Sequence, residues 1–121
     1  MANIETAAGQ LYAFREITEP YFHANQYTTL NVAQHFNNSS KHRMARVAQL
    51  PVPYDAPAVL NVLGDQDDVQ YPLFHDVLSH ARGELSDWTL ATVMFDLDNR
   101  TMTMYHGNPK NGVVMYLRQL V

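Results

Sequence analysis

The last third of the chain carries the clearest alternation of apolar and polar residues. Two alternating stretches, residues 88–97 and 100–106, flank Asp98-Asn99, and a third covers residues 113–120. A period of two is typical of strands, and Asp and Asn tolerate the positive φ of a two-residue turn. The pattern therefore predicts a β-hairpin followed by a third strand. Its register puts five apolar residues on one face, namely Ala91, Val93, Phe95, Met102 and Met104.

The middle of the chain instead shows the spacing of amphipathic helices. Ser39 precedes an apolar pattern that ends before two prolines, which predicts a helix over residues 39–49 with Ser39 at its start. Asp55 is a suitable N-cap for a second helix, and Gly64 stands where a left-handed C-terminal cap is expected. A third, short helix is predicted over residues 72–81.

The first quarter of the chain again predicts strands. Residues 11–16 alternate, and residues 18–20 supply a turn before the short apolar stretch 21–24. We predict a hairpin between these two stretches and a loop over residues 28–36. With strands near both ends and helices between them, the sequence predicts an α+β fold. In this fold one antiparallel sheet packs on helices within a single domain, residues 1–121.

The composition is that of a globular protein, and it excludes several kinds of function. The 121 residues are 46% hydrophobic and 17% charged. A net charge of -4, with only eight Lys and Arg, argues against a nucleic-acid surface. The absence of cysteine excludes disulfides and thiolate metal sites. No apolar run approaches the ~20 residues of a membrane span, and no leader-like segment opens the chain, so we expect a cytoplasmic protein without a membrane partner.

Common catalytic and metal-binding motifs are not supported by the spacing of the residues. The chain has no Gly-x-Ser-x-Gly elbow, no Gly-rich phosphate loop and no His-Glu-x-x-His pair. Asp67 and Asp68 lack the ligand spacing of a calcium loop, and His75 and His80 are too far apart in sequence to share a metal on one helix face. We therefore predict no cofactor and no metal site.

Arg43 is unusual for its predicted position. It falls in the first turn of the helix over residues 39–49, where the helix macrodipole disfavours positive charge. Two explanations stay open: an exposed arginine paired with a nearby acid, or a residue retained for function.

The residues around Arg43 resemble a known family. The motif Ser39-Ser40-x-x-Arg43 follows, at a modest interval, the stretch 22–27, in which Asn25 lies. This arrangement resembles the C-terminal part of the N-terminal-nucleophile (Ntn) amide hydrolases, in the branch with the penicillin acyltransferase and choloylglycine hydrolase types. The resemblance extends to the closing hairpin and Gly-x-Pro loop of that family, matched here by residues 89–96, 100–104 and 107–109.

The resemblance implies half of a four-layer αββα sandwich, and acyl transfer on small acyl-amide substrates. In that family a thiol attacks an amide carbonyl, and Asn25 matches the asparagine that donates to the oxyanion. Arg43 matches the arginine that neighbours the nucleophile and organises its charge. The closing hairpin implies a structural ion pair between Asp96 and Arg100. The cysteine nucleophile has no counterpart in this chain, and Gln26 stands where the family often has histidine.

The sequence leaves three functional hypotheses. The first is a truncated or separately encoded C-terminal portion of such a hydrolase or acyltransferase, inactive alone and completed by a companion chain that carries the N-terminal half. The second is a non-catalytic interaction module that forms a homo-oligomer or binds a partner chain. It is motivated by the opposite face of the last hairpin, which is only half polar and would need to be covered. The third is a small hydrolase with a nucleophile other than cysteine.

Overall fold

The computed structural model describes residues 1–34, 38–76 and 88–121, and they have the predicted α+β class. The chain divides into two compact units, Met1–Val52 and Pro53–Val121, which are described separately. A single domain over residues 1–121 stays a prediction. The first unit contains strands β1 (Ala2–Ala7) and β2 (Leu11–Glu16) and helix α1 (Asn38–Gln49). The second contains α2 (Ala56–Leu63), β3 (Thr92–Asp96), β4 (Thr101–Tyr105), a short 3-10 turn (Pro109–Asn111) and β5 (Val114–Gln119).

The described strands form two antiparallel sheets, with the orders β1-β2 and β3-β4-β5, where the sequence predicted one. In the first sheet β2 pairs with β1 from Ala2↔Glu16 to Ala7↔Leu11. The predicted hairpin between residues 11–16 and 21–24 is therefore wrong, because residues 21–24 form no strand. The turn lies at Gly9 (φ 77°) and Gln10 (φ 61°), where glycine makes a positive φ inexpensive.

Helix α1 covers nearly the predicted range, but Ser39 does not lie outside it as an N-cap. Ser39 and Ser40 are both buried residues within the helix. The Ser39 hydroxyl instead accepts a hydrogen bond from Arg43 one turn later. Residues 28–34 form a loop as predicted, and residues 35–37 lie outside the described residues.

The last hairpin has the predicted register but a different turn. Val93 pairs with Met104 and Phe95 with Met102, which confirms the face that the alternation predicted. The connection is the four-residue stretch 97–100, and its positive φ lies at Arg100 (51°), not at Asp98 or Asn99. No ion pair is found between Asp96 and Arg100. Asp96 accepts from Asn99 Nδ2 (2.8 Å) and Asn99 N (2.8 Å), and these bonds hold the turn and lower the Asp96 pKa.

The face of this sheet that the unit buries is not its more apolar one. Thr92, Thr103 and Tyr105 are buried on one side, whereas Val93 and Phe95 on the other are 38% and 59% exposed. Alternation shows that the two faces differ, but it does not reveal which neighbours inside the chain cover each face. The half-polar face, which the sequence analysis expected to need a covering partner, is therefore the one covered within the unit, and the more apolar face is the exposed one.

Helix α2 begins as predicted and ends differently. The Asp55 side chain accepts from Ala58 N (2.8 Å), so it is the N-cap. Gly64 has φ −92°, and the predicted left-handed cap is therefore wrong. Glycine is required here because of a close neighbour, since an added Cβ would overlap Asn108 Oδ1. Of the helix predicted over residues 72–81, residues 72–76 are not helical and the rest lie outside the described residues.

Candidate functional site

The structure brings Asn25 and Arg43, the two predicted site residues, into direct contact. Arg43 Nη2 donates to Asn25 Oδ1 over 2.9 Å, although eighteen positions separate the two residues. Asn25 is an exposed residue on the segment that follows the first hairpin, and Arg43 lies one turn into α1. The unfavourable position of a cation near a helix N-terminus thus has a local explanation, because the guanidinium is directed at this amide.

This contact determines which way the Asn25 amide points. A guanidinium carries only hydrogen-bond donors, so the amide atom facing it must be the carbonyl oxygen. The NH₂ group of Asn25 is therefore directed away from Arg43, on a residue that is itself exposed. The arrangement presents one fixed amide donor to anything that binds beside it.

The two serines of the motif hold the pair from inside the helix. Arg43 Nε donates to Ser39 Oγ (3.2 Å), which directs the fork of the guanidinium toward Asn25. Ser40 Oγ donates to the main-chain oxygen of Asn25 (3.2 Å), and Ser40 is only 1% exposed. Main chain and side chain of Asn25 are thus both attached to the start of α1.

A second cluster, which the sequence analysis missed, is centred on Glu5 in β1. This side chain is buried, and its two oxygens accept from the loop 28–30. The bonds to Oε1 come from Thr28 N (2.8 Å) and Thr28 Oγ1 (2.7 Å), and those to Oε2 from Thr29 N (2.9 Å) and Leu30 N (2.7 Å). His23 Nε2 lies 3.4 Å from Glu5 Oε1. Consecutive backbone N–H groups form a concave site for an anion, and here the anion is this carboxylate.

These contacts shift the pKa of Glu5. Burial is the largest single influence and by itself would raise the pKa. The hydrogen bonds from Leu30, Thr28 and Thr29 together outweigh it and lower the pKa from its usual 4.5 to about 2, because they stabilise the charged form. Glu5 is therefore an anion throughout the physiological pH range.

The lowered pKa predicts an acid-dependent loss of stability. A carboxyl whose pKa is depressed by folding contributes stability above its unfolded pKa of about 4.5, and this contribution is lost as the pH falls toward about 2. We expect Glu5→Gln to lower the urea midpoint at about pH 6, and the gap to wild type to shrink at about pH 3. Glu16→Gln, an exposed change in the same hairpin, is the control. A gap that stays constant with pH would contradict the prediction.

A cleft of about 470 Å³ lies beside this cluster in the first unit. It is lined by Met1, Ala2, Asn3, Ile17, Thr18, Glu19, Pro20, Tyr21 and His23. The Tyr21 ring stacks on His23 with centroids 6.2 Å apart, and the Arg15 guanidinium lies 4.9 Å from the Tyr21 centroid. The cleft wall is thus largely apolar, with a stacked aromatic pair at one side.

Within residues 1–34, 38–76 and 88–121, no group of three or more His, Cys, Asp or Glu side chains is placed to hold a metal ion. Within the same ranges no helix has both the length and the apolar character to span a bilayer. His75 lies among them, whereas His80 does not, so the prediction that these two histidines share no metal is untested.

Little in the sequence indicates that Glu5 is buried and hydrogen-bonded. A lone acid in a strand of small residues is ordinarily a solvated side chain, and its partners are main-chain N–H groups more than twenty positions away. Asn25 and Arg43 were found because a motif related them, and no such motif relates Glu5 to the loop 28–30.

The chain matches a family of known proteins over most of its length. Residues 1–111, which include Asn25 and Arg43, match the family described as acyl-coenzyme A:6-aminopenicillanic acid acyl-transferase. Comparison with curated proteins gave no match, and neither did comparison with solved structures. The matched range begins at β1 and ends within the turn before β5. This chain is therefore a member of the acyl-coenzyme A:6-aminopenicillanic acid acyl-transferase family, the penicillin acyltransferase type that its Ser-Ser-x-x-Arg motif indicated.

Proposed function

We propose that this chain is the C-terminal portion, truncated or separately encoded, of an Ntn-type amide hydrolase or acyltransferase. It supplies Asn25 and Arg43 to an acyl-transfer site, and a companion chain supplies the nucleophile. Membership of the family supports the chemistry. The 121 residues contain no cysteine, so a thiol nucleophile has to come from outside them. The site acts on small acyl-amides in the cytoplasm, and the chain is inactive by itself.

The observation that carries this proposal is the 2.9 Å hydrogen bond from Arg43 Nη2 to Asn25 Oδ1. An oxyanion donor has to be oriented before the reaction, because the free-energy cost of rotating it during the reaction would offset part of its stabilisation of the oxyanion. Arg43 provides that orientation, and the exposed NH₂ of Asn25 is left to donate.

In the proposed reaction the companion's thiolate sulfur attacks the amide carbonyl carbon. The carbon–oxygen double bond opens, and the oxyanion accepts a hydrogen bond from the Asn25 NH₂ group. When the carbonyl re-forms, the carbon–nitrogen bond breaks, and the leaving amine takes a proton from the base of the companion chain. Water or a second amine then releases the acyl group. In this proposal Arg43 makes no bond to the reacting atoms and acts through Asn25, whereas the resemblance alone implied a place beside the nucleophile.

The fold that accompanies this function is half of an αββα sandwich, completed by the companion chain. Its support is the apolar surface that this chain leaves uncovered. Phe95 on β3 is 59% exposed, and Phe14 on β2 is 62% exposed. Exposed apolar side chains of this size on strands are normally covered by a neighbouring layer.

The test is reconstitution with the product of the adjacent upstream reading frame. We expect neither chain alone to hydrolyse a panel of acyl-amides and bile-salt analogues, and the mixture to do so. Hydrolysis by this chain alone, lost in Asn25→Ala, would show that it is a complete enzyme and overturn the proposed division of the site.

A second candidate is a non-catalytic interaction module, favoured by the state of β5. All six residues of this strand are exposed, and it stands at one edge of the β3-β4-β5 sheet. An exposed edge strand rich in apolar residues offers unpaired backbone groups to another chain. The module would form a homo-oligomer or bind a partner through this sheet.

The solution mass distinguishes the two candidates. Light scattering on the isolated chain is expected to give a monomer that gains mass only with the upstream product, if the proposed function holds. A stable homo-oligomer that Leu117→Lys, a change in β5, converts to a monomer would favour the interaction module instead. Arg118→Lys is the matched control on the same strand, because it keeps the charge and is expected to leave the mass unchanged.

A further inference from the structure

Among the described residues, Glu5 is the only charged side chain that is buried, and the proposed acyl transfer does not use it. Its oxygens are 2.7 to 2.9 Å from the groups of loop 28–30 that donate to them. Burying a carboxylate is costly unless hydrogen bonds replace its water. Glu5 is therefore either a structural anchor for that loop alone or a residue that supports the neighbouring site.

The contacts of Glu5 fall on both sides of Asn25. His23, two positions before Asn25, lies 3.4 Å from Oε1, and the loop 28–30 donates from three to five positions after it. The next residue of β1 adds to this, because Tyr27 Oη donates to the Thr6 carbonyl over 2.8 Å. The segment that carries Asn25 is thus closed onto β1 at each end.

We propose that Glu5 is a positioning residue for Asn25, because its carboxylate fastens the two ends of segment 23–30 to β1 while α1 holds Asn25 itself. The part of this proposal that concerns catalysis rests on the proposed function. The part that concerns geometry does not. Glu5 touches no reacting group and acts only through the main chain that carries the donor.

A substitution at Thr28 is a milder test than removal of the Glu5 carboxylate, because Thr28 links the Tyr21 hydroxyl to Glu5. Thr28 Oγ1 donates its single proton to Glu5 (2.7 Å), so the 2.6 Å contact between Tyr21 Oη and Thr28 Oγ1 requires Tyr21 to be the donor. Thr28→Val keeps the shape of the side chain and removes one bond to Glu5. The backbone bonds from residues 28–30 remain, so this variant is expected to fold.

The experiment is a ¹⁵N NMR relaxation measurement on the full chain, with the urea midpoint measured in parallel. In wild type we expect backbone order parameters of about 0.85 at Asn25 and in loop 28–30, falling below about 0.6 in Glu5→Gln. Glu16→Gln, which removes an exposed charge from the same hairpin, should match wild type. In Thr28→Val the Asn25 side-chain NH₂ signals should shift while the urea midpoint stays close to wild type.

Two results would overturn the proposal. In one, the order parameters of loop 28–30 fall in Glu5→Gln while Asn25 keeps its wild-type order parameter and side-chain signals. In the other, Thr28→Val lowers the urea midpoint without any change at Asn25, which would make Glu5 a purely structural anchor. If Glu5→Gln does not fold, Thr28→Val decides. Because the readout is NMR on the isolated chain, failure of reconstituted acyl transfer would reject the proposed function and leave this result standing.

Discussion

Replacing Asn25 with alanine is expected to lower the kcat of the reconstituted acyl transfer by about 100- to 1,000-fold, the usual effect of removing one oxyanion donor. KM should change little, because the NH₂ group of Asn25 acts on charge that develops only in the transition state. The measurement is steady-state hydrolysis of an acyl-amide by the two-chain assembly.

Asn31→Ala is the matched control, since Asn31 is an exposed amide one position beyond segment 23–30 and lies outside the Arg43 contact. Arg43→Lys is informative as well. A lysine keeps the charge but loses the planar fork that holds the Asn25 amide, so kcat should fall by less than in Asn25→Ala. An Asn25→Ala assembly with wild-type kcat would reject Asn25 as the donor.

Replacing Gly64 with alanine is expected to destabilise the second unit by about 3 kcal/mol or more. The new Cβ would overlap Asn108 Oδ1 and come within 2.9 Å of Lys110 Cβ. The Asn108 side chain cannot easily move away, because its Nδ2 donates to the Gly64 carbonyl (2.9 Å) and its Oδ1 accepts from Lys110 N (3.1 Å). The loss in the free energy of unfolding is measured by urea unfolding, followed by the near-ultraviolet circular dichroism of the aromatic residues in the second unit.

Gly112→Ala is the control that distinguishes the cost of the steric overlap at Gly64 from the cost of ordinary backbone strain. Gly112 has a positive φ of 66° and open space around its Cα, so alanine there should cost only about 1 to 2 kcal/mol. A double-mutant cycle completes the test, since Gly64→Ala should cost less in an Asn108→Ala background. Equal costs for Gly64→Ala and Gly112→Ala would show that the contact with Asn108 can relax.

Much of the second unit could be read from local patterns. The Asp55 cap of α2 and the pairing of Val93 with Met104 follow from interactions within a few positions, or from a period that continues through a short turn. The Asn25 and Arg43 pair was predicted by motif rather than by physics. Nothing in the spacing of these two residues required them to meet at 2.9 Å.

The errors share a cause, which is that local patterns do not specify distant neighbours. The hairpin of the first unit was misassigned because β2 was paired with residues 21–24, and its alternation alone does not identify β1 as its partner. Gly64 was assigned a left-handed cap from its place after a helix, whereas its role is to leave room for Asn108. For the same reason the half-polar face of the last sheet was expected to need a partner, whereas it is covered within the unit.

The sequence by itself determined the α+β class and most helix and strand positions in the second unit, and it singled out Asn25 and Arg43 as candidate site residues. These depend on periodicity, on capping within three or four residues, and on a motif that spans one helix turn. Only the tertiary structure decided that Glu5 is a buried anion and that the Asn25 amide faces outward. Both depend on donors brought from more than fifteen positions away, and the energy of a buried charge or an oriented amide is set by those donors, not by its neighbours in sequence.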